Sequence, residues 1–169
     1  GIIYPIVMGW QWGGGWLAAL GFSDFAGSTL VHSTGGAAAL AGAMLLGART
    51  GRFAKSGEAK PMRPFAASSI PLVTVGVFIL WLGWFGFNGG SQLAMGTFDD
   101  AVAVSNIFIN TNLAACGGVL AAAVITRLMY GKTDVVQMLN GAIGGLVAIT
   151  AEPLAPAPIA AIFLSLIHI

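Results

Sequence analysis

The chain has 169 residues, of which 57% are hydrophobic and 8% charged, with a mean hydropathy of +0.87. A soluble domain carries roughly 25% charged residues, so this composition excludes one large core under a water-facing surface. A formal net charge of +1 with no basic stripe excludes a nucleic-acid binder, and the single cysteine, Cys116, excludes an internal disulfide or a multi-cysteine metal site.

Uncharged runs cover residues 1–23, 25–48, 64–98, 101–126, 135–151 and 153–169. A bilayer-spanning helix needs about 20 mostly apolar residues, so these runs read as spans, the last two at the lower limit of length. Residues 1–20 are expected to form one span with Trp10, Trp12 and Trp16 gathered near its end, where an aromatic belt is one explanation. Asp24 is placed to cap a helix over 25–48. Pro61 and Pro64 close a connection, and Ser68 to Pro71 opens a helix running to about Ser91. Residues 97–101 are expected as a short turn, followed by a span over 106–130, a turn at 131–134 and a helix over 135–149. A sixth helix begins near Pro158. Small residues at packing distance, Gly35/Ala39, Gly117/Ala121 and Gly141/Gly145, suit close approach of helices in lipid. The reading is an all-α polytopic membrane bundle of about five to six helices.

Loop charge supports the same spans independently. All seven Lys and Arg residues fall in two connections: Arg49, Arg52, Lys55, Lys60 and Arg63 in one, Arg127 and Lys132 in the other. The connections holding Asp24, Asp99/Asp100 and Glu152 carry none. Basic and non-basic loops therefore alternate, and the positive-inside rule puts the basic ones in the cytoplasm. Gly1 is not an initiator, the first run lacks the charged start and cleavage pattern of a signal peptide, and the last run stops in apolar sequence. The chain reads as a single transmembrane domain over 1–169, cut at both ends.

Two features could carry chemistry. His32 lies deep in an apolar span, where an ionisable group is costly and faces either a pathway or a partner. Its neighbours three, four and seven residues on are Gly35, Gly36 and Ala39, so it looks over a face with little bulk. The alternative is a buried histidine bonded across helices. Trp84, Phe87 and Ser91 share one helix stripe. That stripe serves packing, or its aromatic faces and hydroxyl suit a small cation. Enzymatic readings fail on missing parts. Gly13-Gly14-Gly15 lacks the Lys-Ser/Thr of a phosphate loop, and neither a Gly-x-Ser-x-Gly elbow nor His-Glu-x-x-His is present.

Taken in order, Trp12-Gly-Gly-Gly, Asp24-Phe-Ala-Gly-Ser-Thr-Leu-Val-His32 with Gly35-Gly36, and Gly47-Ala-Arg49 begin a recognisable series. Trp84-Phe-Gly-Phe-Asn-Gly-Gly-Ser91, Asn110-Thr-Asn112 and Asn140-Gly-Ala-Ile-Gly-Gly-Leu-Val-Ala-Ile-Thr150 continue it. The series resembles the ammonium transporter family over roughly residues 4–158. The resemblance implies an eleven-helix protomer of the cell (plasma or inner) membrane, a homotrimer with one pore per subunit, and a chain covering helices four to eight and the start of nine. It implies that Trp12 and Ser91 recruit the cation outside, that Phe87 is one ring of a gate, and that His32 is the first of two pore histidines. It also implies that Asp24 supports the recruiting site structurally without being exposed in the pore, and Trp84, on the same stripe as Phe87 and Ser91, is read as a second supporting residue. The other gate ring would precede Gly1 and the second histidine would follow Ile169, so His168 is not that residue. The tail after about 162 departs from the family's small-residue pattern. The implied function is passage of ammonium or ammonia through an apolar pore, with no enzymatic step, cofactor or metal. The implied partners are the lipid bilayer and a regulatory protein at the cytoplasmic face. An ammonium sensor of the same fold is the alternative from another class. A Rhesus-type channel is nearer, but Trp12 and Ser91 favour the transporter branch.

Overall fold

The computed structural model describes residues 1–53 and 65–168, whose regular elements are all helical, with no strand among them. The expected basic residues Lys55, Lys60 and Arg63, and Pro61 and Pro64, lie outside the described residues. The elements are α1 (Ile3–Gln11), α2 (Trp16–Ala19), a π-helical segment (Ser28–Ser33) running directly into α3 (Thr34–Leu46), α4 (Ile70–Gly90), α5 (Phe98–Tyr130), α6 (Val135–Ile149) and α7 (Pro158–His168). Among the described residues, three helical stretches are long and apolar enough to cross a membrane: Ser28–Leu46, Ile70–Gly90 and Phe98–Tyr130.

The first 20 residues are not one span. The helix breaks at Gly13-Gly14-Gly15, where Gly14 has φ +72° and Gly15 is extended. The turn folds back so closely that a Cβ on Gly13 or Gly15 would sit 2.8 or 2.6 Å from the Gly9 carbonyl oxygen. Only glycine fits such a reversal.

Helix starts elsewhere follow their caps. Ser69 accepts from the Leu72 N–H, with Pro71 in the first turn of α4. α5 starts earlier than expected, at Phe98. Thr97 and Asp100 form a reciprocal capping box, so 98–101 is the first turn of a helix and not a free turn. At 33 residues α5 is about 50 Å long, well beyond the roughly 30 Å of hydrocarbon. Gly131, in the left-handed region, ends α5, and Asp134 caps α6 through the Val136 and Gln137 N–H groups. Acidic residues stand before or within the first turns of the two spans Ser28–Leu46 and α5, and described basic residues stand at or beyond their last turns. Both arrangements favour the helix dipole.

α5 is the hub, packing on α4, α6 and α7. Glycine lets it do so. Cβ atoms on Gly141 and Gly145 of α6 would fall onto the Gly118 and Ala114 carbonyl oxygens of α5, and one on Gly117 onto the Ile162 oxygen of α7. In lipid, where neighbouring chains are as apolar as leucine, such contact is the main source of helix association. Gly35 and Ala39, the third expected pair, are exposed and make no such contact. The interior is correspondingly small-residue rich, with Trp84, Ala115 and Leu146 in one cluster and Ala114, Ile149 and Ala161 in another. Buried amides tie the layers. Asn88 Nδ2 donates to Thr111 Oγ1 across α4 and α5, and Asn110 Nδ2 donates to the Pro153 and Pro156 carbonyls ahead of α7.

Candidate functional site

The site begins with a buried carboxylate. Asp24 is 2% exposed and accepts four backbone N–H groups: Gly27 (3.0 Å) and Ser28 (2.9 Å) on Oδ1, Thr29 (2.8 Å) and Leu30 (2.9 Å) on Oδ2. A helix start leaves its first four N–H groups without intrahelical partners, and this one side chain takes them all. The expected single cap is thus a fourfold one. The chain turns at Gly27 (φ +111°), whose carbonyl accepts from both Val31 and His32. The bond from His32 spans five residues and makes this turn a π-helix, a geometry found often at functional positions. Phe25 and Ala26 N–H groups bond to the Ala151 and Thr150 carbonyls, fixing the loop to the end of α6.

Held this way, His32 faces α4. Its imidazole stacks on Trp84, with ring centroids 5.0 Å apart and planes at 21°, and lies 5.7 Å from the Phe87 ring. Trp84 and Phe87 are themselves 6.0 Å apart. The Trp84 indole N–H donates to Thr150 Oγ1 at 2.8 Å, and that hydroxyl donates to the Leu146 carbonyl at 2.7 Å. His32 Nε2 is shielded from solvent and has no hydrogen-bond partner among the described residues. Three of the expected residues therefore form one aromatic group around one unmade hydrogen bond.

The other expected residues are engaged separately. Trp12 Nε1 donates to the Asp24 carbonyl at 2.8 Å, and the ring edge rests against Gly27, leaving the side chain 40% exposed. Ser91 Oγ donates to the Phe87 carbonyl at 2.8 Å, one turn below it on α4. That bond uses the only hydroxyl proton, so the remaining lone pairs are acceptors. Phe87 is 40% exposed, whereas Trp84 is buried. Among the described residues no group of His, Cys, Asp and Glu is arranged to hold a metal ion. Thr150, which closes the matched series, received no role in the sequence reading, because nothing local to residue 150 reports a bond to residue 84.

The ammonium transporter family model matches residues 1–167. The chain belongs to the ammonium transporter family. It is 46% identical over 160 residues to ammonium transporter Amt2 of Archaeoglobus fulgidus, covering 89% of this chain and 33% of that protein. To ammonium transporter 1 member 2 of Arabidopsis thaliana it is 38% identical, over 96% of this chain and 35% of the relative. The chain thus spans about a third of the length of the curated relatives it matches. Among solved structures, one described as a sensor Amt protein superposes with a TM-score of 0.89 at 38% identity, covering 98% of this chain and 41% of that one. Mep2 of Candida albicans gives 0.84 at 34%, covering 99% and 35%. The chain is a multi-pass membrane protein of this family.

Proposed function

We propose that the chain is one membrane domain, residues 1–169, of a trimeric transporter in the plasma or inner membrane that passes ammonium or ammonia, and that it does no covalent chemistry. Trp12 and Ser91 receive the cation, Phe87 separates the mouth from the interior, and His32 meets the substrate inside. The observation that carries this reading is the buried, unpartnered Nε2 of His32 enclosed by Trp84 and Phe87.

The physics runs from mouth to interior. Ammonium in water is fully hydrogen-bonded, and moving its charge into an apolar passage unaided is prohibitive. At the mouth the face of Trp12 offers the ring quadrupole, and its indole N–H, tied to Asp24, keeps the ring from turning away. Ser91 offers oxygen lone pairs, its proton being held by Phe87. Along α4, Ser91, Phe87 and Trp84 descend by about 6 Å and then about 4.5 Å, so a ligand leaving Ser91 passes Phe87 before reaching His32. There a hydrogen bond from the ligand to the imidazole replaces part of the lost hydration. Potassium has no hydrogen to give and gains nothing, which is the basis of selectivity. A regulatory protein would act from the cytoplasmic face, at the basic loops.

The test is ammonium and potassium current with the chain in its full-length context, reconstituted in a planar membrane. His32→Ala should leave the trimer assembled and cut ammonium transport at least about tenfold, the worth of one hydrogen bond to a charged group. His32→Glu should let potassium through, since a carboxylate holds a cation without needing its proton. Normal ammonium transport by His32→Ala and an unchanged ammonium-to-potassium ratio in both variants would sink the reading. The similarity to a sensor Amt protein favours a second reading, in which occupancy of the same site is signalled to a partner domain. Saturable ammonium binding without current in the same preparation would select it.

A further inference from the structure

We infer that Thr150 is a positioning residue that sets the His32 imidazole from two sides, an inference that rests on His32 being the interior contact for substrate. Its backbone carbonyl accepts the Ala26 N–H at 3.0 Å, anchoring the loop whose Asp24 starts the His32 helix. Its hydroxyl accepts the Trp84 indole N–H at 2.8 Å, fixing the plate on which His32 stacks. The hydroxyl is itself oriented, because its proton goes to Leu146 O at 2.7 Å and only lone pairs face Trp84. Thr150 is fully buried and Trp84 nearly so, at 9% exposure, so water cannot replace the bond. An indole released from it could rotate about its side-chain torsions, and the stacked imidazole would lose its reference surface. Thr150 stands at the end of α6, the π-turn lies before α3, and Trp84 is in α4. One residue therefore registers three elements on one nitrogen.

The experiment compares wild type, Thr150→Val, Thr150→Ser, Trp84→Phe and the Thr150→Val/Trp84→Phe pair in the full-length protein. Thr150→Val keeps the shape and the carbonyl and removes the hydroxyl, both as acceptor for Trp84 and as donor to the Leu146 carbonyl. It is expected to slow ammonium transport about tenfold, the scale of one buried unmade hydrogen bond, with the trimer intact. Thr150→Ser should restore it to within about twofold. Trp84→Phe keeps an aromatic plate without the N–H, and in that background Thr150→Val should have no further effect. Nitrogen NMR of the labelled His32 ring supplies a readout that does not require transport: its signals should shift in Thr150→Val and return in Thr150→Ser. Unmoved His32 signals, or full activity in Trp84→Phe, would overturn the inference. A wild type that carries no ammonium would instead overturn the transport reading, leaving the NMR comparison to decide the role of Thr150.

Discussion

Replacing Asp24 by asparagine tests whether this carboxylate builds the site or binds the cation. Both oxygens are in use, each accepting two N–H groups at 2.8–3.0 Å, and the side chain is 2% exposed. Asparagine keeps one oxygen and puts an NH₂ group against the other pair of N–H donors. Two charge-assisted bonds are lost, at about 1.5–3 kcal/mol each, so the cost is about 3–6 kcal/mol. Against a folding free energy of roughly 5–15 kcal/mol that is large, and it falls where the chain turns into the His32 helix. The expected outcome is a markedly lower heat-denaturation midpoint and a reduced yield of folded protein, followed by size-exclusion chromatography after heating. Whatever protein survives should keep an ammonium affinity close to wild type, since no Asp24 oxygen is open to the mouth. An Asp24→Asn protein with unchanged thermal midpoint and weakened ammonium affinity would refute this reasoning and make Asp24 a substrate ligand.

Trp12→Leu should weaken apparent ammonium affinity by a few-fold to about thirtyfold, the range of a cation–π contact of about 0.5–2 kcal/mol, and an unchanged ammonium and methylammonium profile would reduce Trp12 to an anchor. Gly145→Ala should destabilise by about 1–3 kcal/mol or more, because the new methyl lands on the Ala114 carbonyl of α5 and on Ser165 Oγ; thermal unfolding beside a Gly83→Ala control, where a Cβ meets nothing, measures it.

Sequence patterning located the helices where length and apolarity alone decide them. Residues 135–149 form α6 as expected, and the start near Ser68 to Pro71 and the one at Pro158 hold. The misses share a cause: local backbone conformation and capping overrode the apolar pattern. Three glycines reversed the chain inside an uninterrupted apolar run, and the Thr97/Asp100 box pulled acidic residues into a helix that the charge pattern had put outside it. At the site, the i, i+3 and i+4 relations along α4 were legible, and so was the depth of His32. The pairing of His32 with Trp84 was not, because it depends on how the π-helical segment is set against α4. The Trp84 to Thr150 bond joins residues 66 apart and leaves no periodic trace.

The same contrast explains why the site is built from so few polar atoms. On the proposed reading the site lines a passage for an uncharged or barely solvated ligand, which has to refuse water, so its wall must be aromatic and aliphatic. A wall with no hydrogen-bonding atom, however, would refuse the ligand too. The chain answers by satisfying nearly every polar group near His32 internally: Asp24 on four amides, Trp12 on Asp24, Trp84 on Thr150, Thr150 on Leu146, Ser91 on Phe87. Each closed bond occupies a group that could otherwise hold water, while Ser91 keeps its lone pairs as acceptors. A buried group left unmade costs about 1–3 kcal/mol, and that cost is tolerated at His32 Nε2 inside the aromatic group. On the proposed reading selectivity rests on that nitrogen: with the Trp84 N–H and the Thr150 hydroxyl already bonded within the protein, the ligand stabilised beside Trp84 and Phe87 is one able to make a hydrogen bond with His32 Nε2.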